Sequence, residues 1–119
     1  EVGLPAVQAA GVAAEAAAIL AAPELRRFFA GPGLAWADNE VPIVVDGEPA
    51  RIDRLVAIDE PAGRTWWVLD YKLEAAPEQR ASSRAQLAGY VRALRALQTA
   101  DRVCGAFIAA GARLVPLEA

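Results

Sequence analysis

The run Thr65-Trp66-Trp67-Val68-Leu69 restricts the fold of this chain more than any other stretch. It is apolar at consecutive positions and ends in Asp70-Tyr71-Lys72. A strand with one solvated face alternates apolar and polar residues, so a run apolar at both parities needs cover on both faces. That describes a central strand. Downstream, Leu87, Tyr90, Val91, Leu94 and Leu97 recur at spacings of three and four and predict a helix over Ser82–Gln98. A second apolar run, Val103–Ala109, follows. Strand, helix and strand in this order predict a crossover connection and a parallel pair.

The remaining elements fall around this unit. Leu4–Ala22 is rich in alanine, the strongest helix former, and Pro23 marks its end. Pro23–Ala30 predicts a short second helix, stopped by Gly31-Pro32-Gly33. Glu40–Val45 and Ala50–Ile58 read as strands, with Thr65–Lys72 as the third. Asp46-Gly47 and Pro61-Ala62-Gly63 supply hairpin connections between them. Leu114–Leu117, beyond Gly111, makes a final hairpin with Val103–Ala109. The expected fold is α/β, in the order α-β-β-β-α-β-β, with a mixed sheet of about five strands flanked by helices. At 119 residues the chain is expected to be one domain, with a helical part over 1–35 and a core over 36–119.

Composition sets further bounds. Hydrophobic residues make up 55% and charged residues 23%, which is the balance of a folded chain. A net charge of -3 does not advertise nucleic-acid binding, although basic residues can still cluster locally. Cys104 is the only cysteine and lies in an apolar run, so a buried thiol in a reducing compartment is expected. Gln8 and Glu15 interrupt the alanine-rich opening and no basic segment precedes it. The expectation is neither a signal peptide nor a membrane span, and a cytoplasmic protein. Because the chain starts on Glu1 and lacks methionine, it is expected to be part of something longer.

The end of the central strand carries the chemistry. Lys72 is the only lysine, against eleven arginines. Asp70 and Lys72, two apart on a strand, share a face. Asp53 interrupts the β-branched run "ARIDRLVAI" on the preceding strand and comes from beside Asp70 if the two strands pair. Two carboxylates with a nearby ammonium form a hard-oxygen site suited to Mg²⁺ or Mn²⁺. The chain has no histidine, which argues against zinc. An ion held by Asp53 and Asp70 would polarise a phosphate oxygen, and Lys72 would orient a water or offset developing charge. The plain alternative for Asp-x-Lys is a solvated strand exit with an ion pair worth about 0–1 kcal/mol. On the following helix, "QLAGY" stacks Gln86 and Tyr90 one turn apart on one side. Taken alone, that pair is better explained as a core tyrosine with a solvated neighbour.

"RIDRLV", a hydrophobic strand ending in "LDYK", and "QLAGY" on the next helix together resemble the PD-(D/E)xK nuclease superfamily. The nearest likeness is to RecB-like nuclease domains, found at the end of helicase–nuclease chains of the RecB and AddA type. The likeness covers about residues 40–117 and implies a restriction-endonuclease-like core. It implies metal binding by Asp53, Asp70 and the Tyr71 backbone carbonyl, and a catalytic Lys72. Gln86 and Tyr90 would contact DNA and support the site, and Glu40 matches a glutamate common at the start of the first strand. The implied activity is Mg²⁺- or Mn²⁺-dependent hydrolysis of DNA, as an exonuclease in repair and recombination. The implied partners are DNA, a covalently linked helicase domain and a further subunit, in a bacterial, nucleoid-associated setting. Arg80 and Arg84 are candidate phosphate contacts, as are Arg92 and Arg95, whose alternative is a solvated helix face.

The sequence departs from the RecB-like pattern at three points. The histidine usual upstream of the first strand is absent, Ala50 stands where glycine often precedes the aspartate, and Leu73 follows the lysine where threonine is common. Two other readings therefore stay open: a non-catalytic DNA-binding or scaffolding module with an incomplete metal site, and a structural ion-pair network in an unrelated α/β domain.

Overall fold

A computed structural model describes residues 22–117, and the alanine-rich segment predicted as the first helix lies outside them. The described elements are α1 (Pro23–Arg26), β1 (Leu34–Val45), β2 (Glu48–Glu60), β3 (Gly63–Tyr71), a 3-10 turn (Pro77–Gln79), α2 (Ala81–Leu97), β4 (Arg102–Ala109) and β5 (Arg113–Pro116). The strands form one sheet in the order β1-β2-β3-β4-β5. All neighbours are antiparallel except β3 and β4, which run parallel with Asp70 opposite Phe107. The crossover between those two strands is α2. This is the mixed α/β sheet expected from the sequence, with β3 at its centre.

The two parities of β3 enter two cores. Val68 and Trp66 meet Leu87, Tyr90, Val91 and Leu94 of α2, whereas Leu69 and Trp67 face Leu25 and Phe28 at α1. Gly105 explains how closely α2 lies on the sheet. A Cβ there would fall 2.6 Å from Val91 Cγ2 and 3.3 Å from Leu87, so only glycine leaves room for the helix. The hairpin between β1 and β2 turns on Asp46 (φ 51°) and Gly47 (φ 81°). Two consecutive positive φ angles match the twist of a tight hairpin.

Some elements differ from the sequence reading. The second predicted helix is a single turn, Pro23–Arg26, because Phe28 and Phe29 are drawn into contact with the sheet and Arg54. Leu97 stays 72% exposed although it continues the apolar repeat. A step of three residues rotates it about 60° back from Leu94, off the centre of the buried stripe. β1 begins six residues earlier than Glu40, since Leu34 and Ala37 pack on the α1 side.

That early start reveals a twist in the β1–β2 ribbon. Ile52 and Leu55 both face α2, and Val56 and Ile58 face α1. Residues three apart cannot share a face under strict alternation. On β1 the side changes between Ala37 and Val41. The ladder pairs Asn39 with Arg54 and Val41 with Ile52, and between them Glu40 takes φ 52°. Both strands thus change faces where Glu40 lies opposite Asp53, without any change of register. No helix among the described residues is long and apolar enough to cross a membrane.

Candidate active site

Asp53, Asp70 and Lys72 converge where the β2–β3 ladder ends. Its last backbone pair is Arg54 with Leu69. One step further, Asp53 Oδ2 accepts from the Tyr71 N–H at 2.9 Å. A side chain therefore continues the ladder where the twisted ribbon leaves β3. Lys72 lies just past β3, and its N–H still donates to Ile108 of β4 at 3.0 Å. In a trans peptide the preceding carbonyl points opposite to that N–H. The Tyr71 carbonyl therefore aims toward β2, on the side of Asp53.

Asp70 occupies the α2 face beside Val68, with its side chain only 6% exposed. Burial pushes its carboxyl up to about 7, and a hydrogen bond with the Asp53 carboxyl adds to the rise. The Lys72 ammonium opposes this, with Nζ 3.4 Å from Oδ2. That ion pair lacks hydrogen-bond geometry, and Oδ2 is a buried oxygen with no hydrogen-bond partner among the described residues. An unsatisfied buried carboxylate costs on the order of several kcal/mol, so a plain solvated strand exit does not describe it. A cation fits it. The donors are two carboxylates and one peptide carbonyl, all hard oxygens appropriate to Mg²⁺ or Mn²⁺. Among the described residues, no cluster of three or more His, Cys, Asp or Glu side chains forms anywhere.

Helix α2 completes the surroundings. Lys72 Nζ also lies 3.4 Å from Gln86 Oε1, as donor to the amide oxygen. One turn on, burial raises the Tyr90 phenol above its usual range, and the nearby Asp70 and Asp53 carboxylates add to the rise. The i and i+4 spacing in "QLAGY" thus sets an amide on the lysine and a phenol near the carboxylates.

Other expected residues stand apart. Glu40 is opposite Asp53 in the ribbon, but its carboxylate is largely exposed and meets Arg51 at 3.2 Å. Arg80 pairs with Glu74 at 2.5 Å, and Arg84 donates to the Glu78 carbonyl. Together with Arg113, which donates to the Ala75 carbonyl and reaches Glu78 at 3.5 Å, they fasten the loop after Lys72. The sequence reading missed Arg113 because it lies more than thirty residues beyond that loop. It also missed Arg54, which donates twice to the Phe28 carbonyl, once to Asn39 Oδ1, and covers the Phe29 ring at 4.4 Å. An arginine inside the β-branched run of β2 was the available signal.

A mixed sheet with its crossover helix beside two strand-borne carboxylates and a lysine offers hard oxygen donors and a positive charge at one place. The comparison with protein families agrees. The family model described as PD-(D/E)XK nuclease superfamily matches residues 9–118, and the chain belongs to that superfamily. Its five-stranded α/β sheet is consistent with the restriction-endonuclease-like fold. Comparison with curated proteins and with solved structures gives no match.

Proposed function

We propose that this chain is a metal-dependent DNA nuclease domain of the RecB-like type, acting as an exonuclease within a helicase–nuclease of DNA repair and recombination. Superfamily membership supports hydrolysis of nucleic-acid phosphodiesters. The order "RIDRLV", "LDYK" and "QLAGY" supports the RecB-like assignment, and with it the linked helicase domain, the partner subunit and the nucleoid setting. The observation that carries the catalytic reading is the buried Asp70 oxygen beside Asp53 and Lys72, which has no hydrogen bond among the described residues.

Asp53, Asp70 and the Tyr71 carbonyl would hold the ion. When bound, Mg²⁺ or Mn²⁺ supplies Lewis-acid polarisation of the scissile phosphate and lowers the pKa of a water. Lys72 places a compact, mobile positive charge beside the reacting phosphate, where the wide fork of an arginine would fit less well. Gln86 holds the ammonium from the α2 side, restricting it to the arc between the amide and Asp70. Tyr90 closes the buried side against water and offers its phenol to the carboxylates. Arg84 keeps an uncompensated charge, because its partner is a carbonyl, and so suits a phosphate better than Arg80, already paired with Glu74. Glu40 has no part in holding the ion in this arrangement.

The second reading, a DNA-binding or scaffolding module without catalysis, draws on the site having, among the described residues, no cluster of three or more acidic side chains. Titrating Mg²⁺ or Mn²⁺ into the protein and into Lys72→Ala and Asp70→Ala separates the readings. Metal binding and cleavage of single- and double-stranded DNA are followed together. The nuclease reading requires both in the wild type and loss of cleavage in both variants. DNA binding without metal uptake or cleavage would establish the module instead.

A further inference from the structure

Charge is distributed unevenly along this acidic chain. Residues 79–117 hold six arginines and one acidic residue, Asp101, although the net charge of the whole is -3. Four of the six, Arg80, Arg84, Arg92 and Arg95, lie at or on α2, and Arg102 opens β4. Along α2 the sequence Arg84, Ala88, Arg92, Arg95 steps by four, four and three, so these residues share one flank of the helix. The flank starts near the candidate active site and descends to a cleft at the opposite end of the sheet.

That cleft, of about 630 Å³, is lined by Arg92, Arg95, Thr99, Arg102 and Cys104. Arg95 is held in place by its bond to the Val103 carbonyl at 3.0 Å and forms no ion pair among the described residues. Arg102 is exposed and forms no ion pair among the described residues. Arg92 meets Asp46 at 2.9 Å in an exposed pair, a contact that solvent screens heavily. Among the described residues Asp101 is the one acid in the lining, and its carboxylate already accepts from Trp66 Nε1 at 3.0 Å. The C-terminal dipole of α2 contributes roughly half a negative charge, too little to cancel the arginines.

We propose that this cleft is a phosphate-binding subsite for the DNA strand whose scissile bond lies at Asp53, Asp70 and Lys72; the inference rests on the nuclease reading. Thr65 pairs with Arg102 and Asp70 with Phe107, so five residues of strand separate the two sites. At about 3.3 Å per residue that is about 17 Å. One strand of a duplex advances about 3.4 Å per nucleotide, so the subsite engages a phosphate about five nucleotides from the cut.

Cys104 lines the cleft and is the only cysteine, so its alkylation rate reports occupancy in the unaltered protein. Without divalent ions, saturating DNA of about twelve nucleotides should protect Cys104 strongly, and DNA of about three nucleotides should not. In Arg102→Ala, the slope of log affinity against log salt should fall by about 1 for the longer DNA and stay unchanged for the shorter. Equal alkylation with and without the longer DNA, or an unchanged slope, would overturn the subsite. Protection of Cys104 in a protein that cleaves nothing supports the subsite and rejects the nuclease reading. Cleavage with Cys104 unprotected rejects the subsite alone.

Discussion

Along β3, Thr65 donates to Glu60 at 3.0 Å, Trp66 donates to Asp101 at 3.0 Å, and Val68 and Leu69 are fully buried in opposite cores. The next residue, Asp70, is also buried but leaves Oδ2 without a hydrogen bond among the described residues. The strand follows the rules of packing and polar satisfaction as far as Leu69 and departs from them at Asp70. Sequences that specify a fold are consistent at every level, and the breaks fall where function needs them. Here the break lies beside a second carboxylate and the chain's only lysine. The contrast separates residues that build the protein from the residues proposed to work in it.

The contrast can be broken by substitution, beginning with the largest effect. Lys72→Ala and Asp70→Ala should each lower DNA cleavage by about 10²–10³-fold or more while the near-ultraviolet circular dichroism stays native. Cleavage unchanged in either variant would place the chemistry elsewhere. Leu87→Ala, in the core below the same helix, should cost about 2–5 kcal/mol in urea unfolding and leave metal affinity of the folded protein unchanged. Gly105→Ala should cost about 1–3 kcal/mol, because Val91 must move to admit the methyl group. A neutral result there would mean that α2 sits less tightly on the sheet than Gly105 implies.

Asp70 offers a finer test of the same contrast through pH. Its carboxyl titrates at about 7 in the folded protein and near the ordinary aspartate value when unfolded. The folded state therefore holds this proton more tightly, and the stabilisation is present at low pH. It is lost as pH rises from about 4 to about 7. Metal-free wild type should lose stability relative to Asp70→Asn across that window, and a constant difference would contradict the burial of the charge. The smallest effect is expected at Asp59 and Arg64, an exposed pair at 2.7 Å in which the arginine holds the Asp59 carboxyl below its usual range. Arg64→Ala should leave the melting temperature almost unchanged.

Most of the architecture was legible because it depends on local periodicity. The doubly apolar run placed β3 at the centre, and the stripe Leu87, Tyr90, Val91, Leu94 placed α2 above it. Asp-Gly fixed the first hairpin through its positive φ angles. Residue type and order suggested Asp53, Asp70, Lys72, Gln86 and Tyr90 as candidates, and the fold brings these five together. What stayed hidden depends on contacts between distant segments. "NEVPIVV" and "ARIDRLV" read as uninterrupted strands, and only their pairing shows the change of face at Glu40 and Asp53. The bond from the Tyr71 N–H to Asp53 and the fastening of the loop by Arg113 arise the same way. Glu40 shows the limit of matching by order alone, since its place in the ladder is beside Asp53 while its carboxylate turns to Arg51.

The central claim is that Asp53 and Asp70 hold a divalent ion that satisfies the buried oxygen. Calorimetric titration of Mn²⁺ into wild type and Asp70→Asn near pH 7 tests it most directly. The expected result is saturable uptake by the wild type, accompanied by partial release of the Asp70 proton, and none by the variant. No uptake by the wild type, or equal uptake by both, would contradict it.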